Sequence, residues 1–179
     1  MTAGLRGGVL AAGIAMLFGP LAALAAQPAP AAAPDVEVEF LPPVEHSFEQ
    51  VYGTAEEAVL RQAIVAAVTR ELKGVPLPAG AVVRVQVRDV TSTRLTLKQQ
   101  SDHPALDPWS SKNLGGADLA GSVEQGGGTV LASVTSQYYP VTLHEGSASR
   151  DPWGDAYRAF DLFAAKLAKA CRQLSAARS

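Results

Sequence analysis

Two stretches of strict apolar–polar alternation enclose one stretch in which apolar residues recur every fourth position. This order constrains the fold more than any other feature of the chain. Val36, Val38 and Phe40 alternate with Glu37 and Glu39, the period of a strand with one buried face. Leu60, Ile64, Val68 and Leu72 then trace one side of a helix, with Ala63 and Ala67 allowing close approach. Val83, Val85 and Val87 alternate with Arg84, Gln86 and Arg88, marking a second strand. Pro42-Pro43 ends the first strand, since proline donates nothing to a ladder. Thr54 and Glu57 stand at the spacing of a capping box, and Gly74 followed by Pro76 stops the helix. Strand, helix and strand in this order suggest a crossover unit, right-handed where the strands are parallel.

Downstream, Leu119 to Glu124 and Thr129 to Tyr138 read as two strands around Gly126-Gly127-Gly128, a hairpin whose glycines can take positive φ. Leu114-Gly115-Gly116-Ala117 reads as a bulge or tight strand entry. Asp151 is a good N-cap, Pro152 suits the first helical position, and Asp155 complements the dipole of the first turn. Ala156, Phe160, Phe163, Leu167, Cys171 (or Ala170) and Leu174 form the stripe of a closing helix. The reading is α+β: a two-layer sandwich of order β-α-β-β-β-α, with a small mixed sheet and two helices on one face. Residues 91–117 remain as a long irregular excursion, of a length usually either functional or mobile.

The N-terminus has the three parts of a secretory signal. Arg6 supplies positive charge, Val9 to Phe18 an uncharged apolar core, and Ala23-Leu24-Ala25 the small residues before a cleavage site. Gly19-Pro20 interrupts the core before it reaches the length of a membrane span. The expected organisation is a signal peptide at 1–25, a Pro/Ala-rich tether at 26–34, and one α/β domain at 35–179. Periplasm or secretion follows, with no membrane insertion after cleavage. Cys171 is the only cysteine, so neither lipid attachment at the cleavage site nor an internal disulfide is expected. Without the leader the chain carries 14 basic and 17 acidic residues. That weak acidity argues against a nucleic-acid partner.

No complete catalytic or metal-binding constellation is apparent, and no cofactor is expected. His144-Glu145 begins like the zinc-protease helix, but Ala148 stands where the second histidine should be. The loop pair Asp102-His103 could add two ligands, but nothing in the sequence brings it together with His46 or His144 in the tetrahedral set that zinc needs. No Gly-x-Ser-x-Gly elbow frames a serine, and the glycine pairs precede strands rather than helices, unlike phosphate cradles. The aromatic residues Trp109, Tyr138 and Tyr139 are the candidate partner-binding residues. Trp109 lies in the excursion, adjacent tyrosines on a strand face opposite ways, and exposed Trp and Tyr are enriched at interfaces.

The strand pair Ala117-Asp-Leu-Ala-Gly121 and Gly128-Thr-Val-Leu-Ala132, with the helix opened by Asp151 and Asp155-Ala156, resembles small exported proteobacterial proteins of unknown function. Their layout is like that of accessory lipoproteins of envelope or secretion assemblies. The resemblance spans residues 36–174 and implies an accessory role, without catalytic residues to transfer. This chain departs from it in lacking the lipid-attachment cysteine.

The sequence thus points to a non-enzymatic envelope accessory or binding protein recognising a protein or polymer. The alternative is a small periplasmic hydrolase or metal-dependent enzyme using His103 or His144. Export is directly testable: the mature chain should begin at Ala26 and be released by osmotic shock. N-terminal sequencing that returns Met1 from a membrane fraction contradicts this.

Overall fold

The computed structural model describes residues 34–107, 110–126, 128–146 and 148–177. The leader, all of the tether except Pro34, and Trp109 lie outside the described residues. Four strands form one sheet in the order β1-β2-β3-β4, where β1 is Asp35–Phe40, β2 Val82–Thr91, β3 Gly116–Gln125 and β4 Thr129–Tyr138. β1 pairs with β2 in parallel, while β2–β3 and β3–β4 are antiparallel. Two long helices, α2 (Thr54–Leu72) and α4 (Gly154–Ala177), cover one face. They run in the same direction: Glu56 meets Trp153 at their beginnings, and Ser175 reaches Pro76 past the end of α2. The α+β sandwich read from the sequence is the observed architecture.

The core lies between these layers. Val83, Val85 and Val87 are fully buried with Leu119 and Val123 against Leu60, Ile64, Phe160, Phe163 and Leu167. At Gly121 the sheet approaches α4 so closely that a Cβ would stand 2.6 Å from Phe163 Cζ and 2.9 Å from the Arg84 carbonyl.

Several elements depart from the sequence reading. Pro42-Pro43 ends β1 but also starts a helix, α1 (Pro42–Ser47), with proline at its first positions. A π-helical turn, Phe48–Tyr52, continues it. Gly53, at φ 101°, joins that turn directly to α2 and occupies the cap position. The capping box expected at Thr54 therefore does not form, and Glu57 instead receives Arg61 at 2.7 Å. The helix expected from Asp151 begins at Gly154. Asp151 Oδ1 accepts from the Trp153 amide at 2.8 Å and shapes the entry turn.

The 91–117 excursion is ordered where described. It holds a short helix, α3 (Leu97–Asp102), whose capping box is made by Thr96 and Gln99. Thr93 fastens both of its ends. The Thr93 amide donates to the Pro152 carbonyl at 2.7 Å, and its own carbonyl accepts from Asn113 at 2.8 Å. Its hydroxyl donates to Asp155 Oδ2 at 2.9 Å and accepts from the Asp155 amide at 3.1 Å. Both side chains are excluded from water.

Each edge of the sheet is met by a cation from a covering helix. Arg61 donates to the Val38 carbonyl on β1, and Lys166 Nζ to the Thr135 carbonyl on β4 at 2.5 Å. Packing and edge contacts should separate in denaturant unfolding. Phe160→Ala should lose about 3–5 kcal/mol through the cavity it leaves, and Gly121→Ala about 1–3 kcal/mol through overpacking. Lys166→Ala should change stability by about 0.5 kcal/mol or less.

Candidate binding surface

Both helices cover the same face, so among the described residues the other face of the sheet is left open. Its strands present polar side chains there because the alternation that buries Val83, Val85 and Val87 sends Arg84, Gln86 and Arg88 outward. The outward residues of neighbouring strands answer them across the ladder. Arg84 bridges Glu37 of β1 and, through Nε at 3.1 Å, Glu124 of β3. Those two carboxylates raise its pKa, the Glu124 hydrogen bond contributing most. Gln86 Nε2 donates to Glu39 at 2.9 Å, and Arg88 to Asp118 at 2.7 Å. On β4 the face continues with Ser133, Thr135 and Gln137. The small residues Ala120, Gly121 and Ser122 leave a shallow depression of about 540 Å³ walled by Glu37, Glu39 and Glu124 and by Arg84 and Gln86.

A β-bulge between Val87 and Asp89 closes this face toward the excursion. It turns two consecutive side chains, Arg88 and Asp89, to the open side, the local redirection that bulges provide. Tyr139 donates its hydroxyl to Asp89. Burial first, and then that carboxylate, push the Tyr139 pKa well above the usual phenol value. Tyr52 is raised as well, by burial foremost. Tyr138 points the other way, half-buried against the core, with the Arg158 guanidinium 4.9 Å from its ring centre. The adjacent tyrosines thus occupy opposite faces, and Tyr139 alone of the two joins the open surface.

A second concavity, of about 350 Å³, lies where α2 and α4 begin and the excursion folds over them. Its back wall is Trp153, the largest fully buried side chain, whose indole donates to Glu56 Oε2 at 2.7 Å. Trp153 packs edge-on to Tyr52, with ring centres 5.1 Å apart, and to Phe48 at 6.4 Å. Beside it Tyr157 is raised to about 12 by burial and by Asp151. A third cavity, of about 820 Å³, is at the opposite end of the sheet, below the last turn of α2. Leu72, Val75, Leu77 and Pro78 line it, but its charged groups (Asp35, Arg70 and Lys73) are of both signs, and Arg70 is held by Asp161 at 2.6 Å.

The three histidines lie on separate elements: His46 in α1, His103 after α3, and His144 in the turn that follows β4. All three are exposed. Among the described residues no group of three or more His, Cys, Asp or Glu side chains is placed to hold a metal ion. Cys171 is buried, and burial raises its thiol pKa. The sequence reading did not single out Glu37, Glu39, Arg84 or Asp89 as site residues. Their signal was present as the polar half of the alternation.

Tyr157 gives a pH test of the second concavity. A pKa raised from 10.0 to about 12 favours the neutral phenol in the folded state. Its contribution to stability is therefore complete below about pH 10 and is lost as pH rises through about 12. Absorbance titration should show delayed tyrosinate formation. Asp151→Asn should bring the Tyr157 step to lower pH, and an unchanged step would mean that Asp151 does not act on the phenol. No family model matches this sequence, and no match was found among curated proteins or solved structures.

Proposed function

We propose that this chain is an exported, non-enzymatic accessory or binding protein of the cell envelope, which recognises a protein or polymer partner through the open face of its sheet. The observation that carries this reading is the one-sided cover. A ten-residue strand is about 33 Å long and four strands are about 14 Å across, so the exposed face is a broad platform rather than a cleft. Its side chains are held in a hydrogen-bonded ladder and need little reordering on contact. Export is supported by the three-part leader and the Pro/Ala-rich tether in the sequence. No helix among the described residues is long and apolar enough to cross a membrane.

Site-specific photo-cross-linking in the envelope tests the reading. A benzophenone side chain at Gln86 or Thr135, on the open face, should give a discrete adduct. The same group at Gln62 or Gln173, on the outer side of α2 and α4, should not. Equal adducts from both sides, or none from the sheet positions, would remove the open face as the docking surface.

A further inference from the structure

We infer that the partner docked on the open face is a basic polypeptide surface, rich in lysine and arginine, lying across β1, β2 and β3. This rests on the reading of that face as the docking surface and adds the chemistry of what it takes. The argument starts from where the charge of the domain resides. Asp35, Glu37, Glu39, Asp89, Asp118 and Glu124 share the face with Arg84 and Arg88. Six carboxylates against two guanidinium groups leave a net of −4. Residues 34–179 as a whole hold 17 acidic and 14 basic residues, a net of −3. The remaining charges of that region sum to +1, so its excess negative charge lies on the one sheet face that no described helix covers.

The ladder within the face neutralises only part of this charge. Arg84 serves Glu37 and Glu124, and Arg88 serves Asp118. Glu39 accepts instead from the neutral amide of Gln86, and Asp89 from the neutral phenol of Tyr139. These two carboxylates sit at the two sides of the platform, one on the β1 edge and one at the bulge. Beside Glu39, on the side away from the bulge, lies the depression over Ala120, Gly121 and Ser122, walled by Glu37, Glu39 and Glu124 and lined also by Arg84 and Gln86. A lysine or arginine side chain fits such a recess with its head group at Glu39, since Arg84 already bridges Glu37 and Glu124, and its stem over the small residues.

The dimensions favour a polypeptide over a small cation. The platform is on the order of 450 Å², about half of what one partner buries in a standard protein interface. It offers no large apolar anchor on β2 or β3. Association through it depends on charge complementarity, which governs encounter rate and salt sensitivity more than final affinity. Binding should therefore be fast, modest in affinity and strongly screened by salt.

The test uses the full exported chain and an alternating Lys-Thr peptide of about ten residues, long enough to span one strand. A Glu-Thr peptide of equal length is the control. Amide NMR shifts on titration should be confined to β1–β3 and the Asp89 bulge. Affinity should fall about tenfold or more between about 50 and about 300 mM NaCl. Glu39→Gln combined with Asp89→Asn should weaken binding several-fold while leaving the melting midpoint unchanged. Shifts scattered over the whole surface, salt-insensitive binding, or equal binding by the double variant each overturn the inference. The cross-linking at Gln86, repeated in the double variant, separates the two readings. An undiminished adduct would mean that the partner is recognised without its positive charge, which defeats this inference while the docking surface stands. No adduct even in the unmodified chain would defeat both.

Discussion

Asp155 is a carboxylate with no exposure to water, placed at the first turn of α4, and the upper end of the molecule is arranged around it. A charge in that position is tolerable only if donors meet it where it lies. The helix N-terminus supplies a favourable dipole, and the Thr93 hydroxyl supplies a direct hydrogen bond. Thr93 can do so because its amide is held by the Pro152 carbonyl and its own carbonyl by Asn113. One buried pair thereby fixes the end of β2, both ends of the following excursion, and the start of α4. It also holds in place the described ends of a segment with few core residues of its own. The loop contributes few core residues, but its ends are fastened to a helix that contributes many.

That fastening sets up the second feature of the fold, the concentration of packing on one side. Phe40, Phe48, Tyr52 and Trp153 form a chain of edge-on aromatic contacts linking β1, the π-helical turn and the start of α4. The aliphatic core continues from it beneath both helices. With Val83, Val85, Val87 and Val90 of β2 and Leu119 and Val123 of β3 spent on that side, most outward positions fall to charged, amide and hydroxyl groups. The open face is polar because the closed face has used the apolar half of each strand.

The periodic parts of this architecture were legible in the sequence. Val83–Val85–Val87 and Leu60–Ile64–Val68–Leu72 each announce one buried face, and the structure buries those residues. What the sequence concealed depends on contacts between distant residues. Thr54 and Glu57 have capping-box spacing, yet the preceding π-helical turn brings Gly53 to the cap position. Thr96 and Gln99 have the same spacing in a segment without helical periodicity, and there the box forms. Asp155 looks like an ordinary acidic residue of a first turn until Thr93, 62 positions earlier, is brought against it. Trp153 merely follows Asp151 and Pro152 in the sequence, whereas its indole closes the core and reaches Glu56. The candidate surface was half visible: the alternation named its residues, but only the pairing of strands showed which carboxylates share an arginine. Trp109, a candidate from the sequence, lies outside the described residues, so the structure neither adds it to that surface nor removes it.

A sheet with two free edges is in principle a template on which further strands can add, and a four-stranded sheet exposes both. Here α2 sends Arg61 to the Val38 carbonyl at one edge, and α4 sends Lys166 to the Thr135 carbonyl at the other. A positive charge beside an edge carbonyl repels the close approach of another hydrogen-bonded backbone carrying its own cations, and it occupies an acceptor that an added strand would need. The helices that build the core therefore also terminate the sheet. Their two cations make it a finite object, able to meet other molecules across its flat side without recruiting them into a growing ribbon.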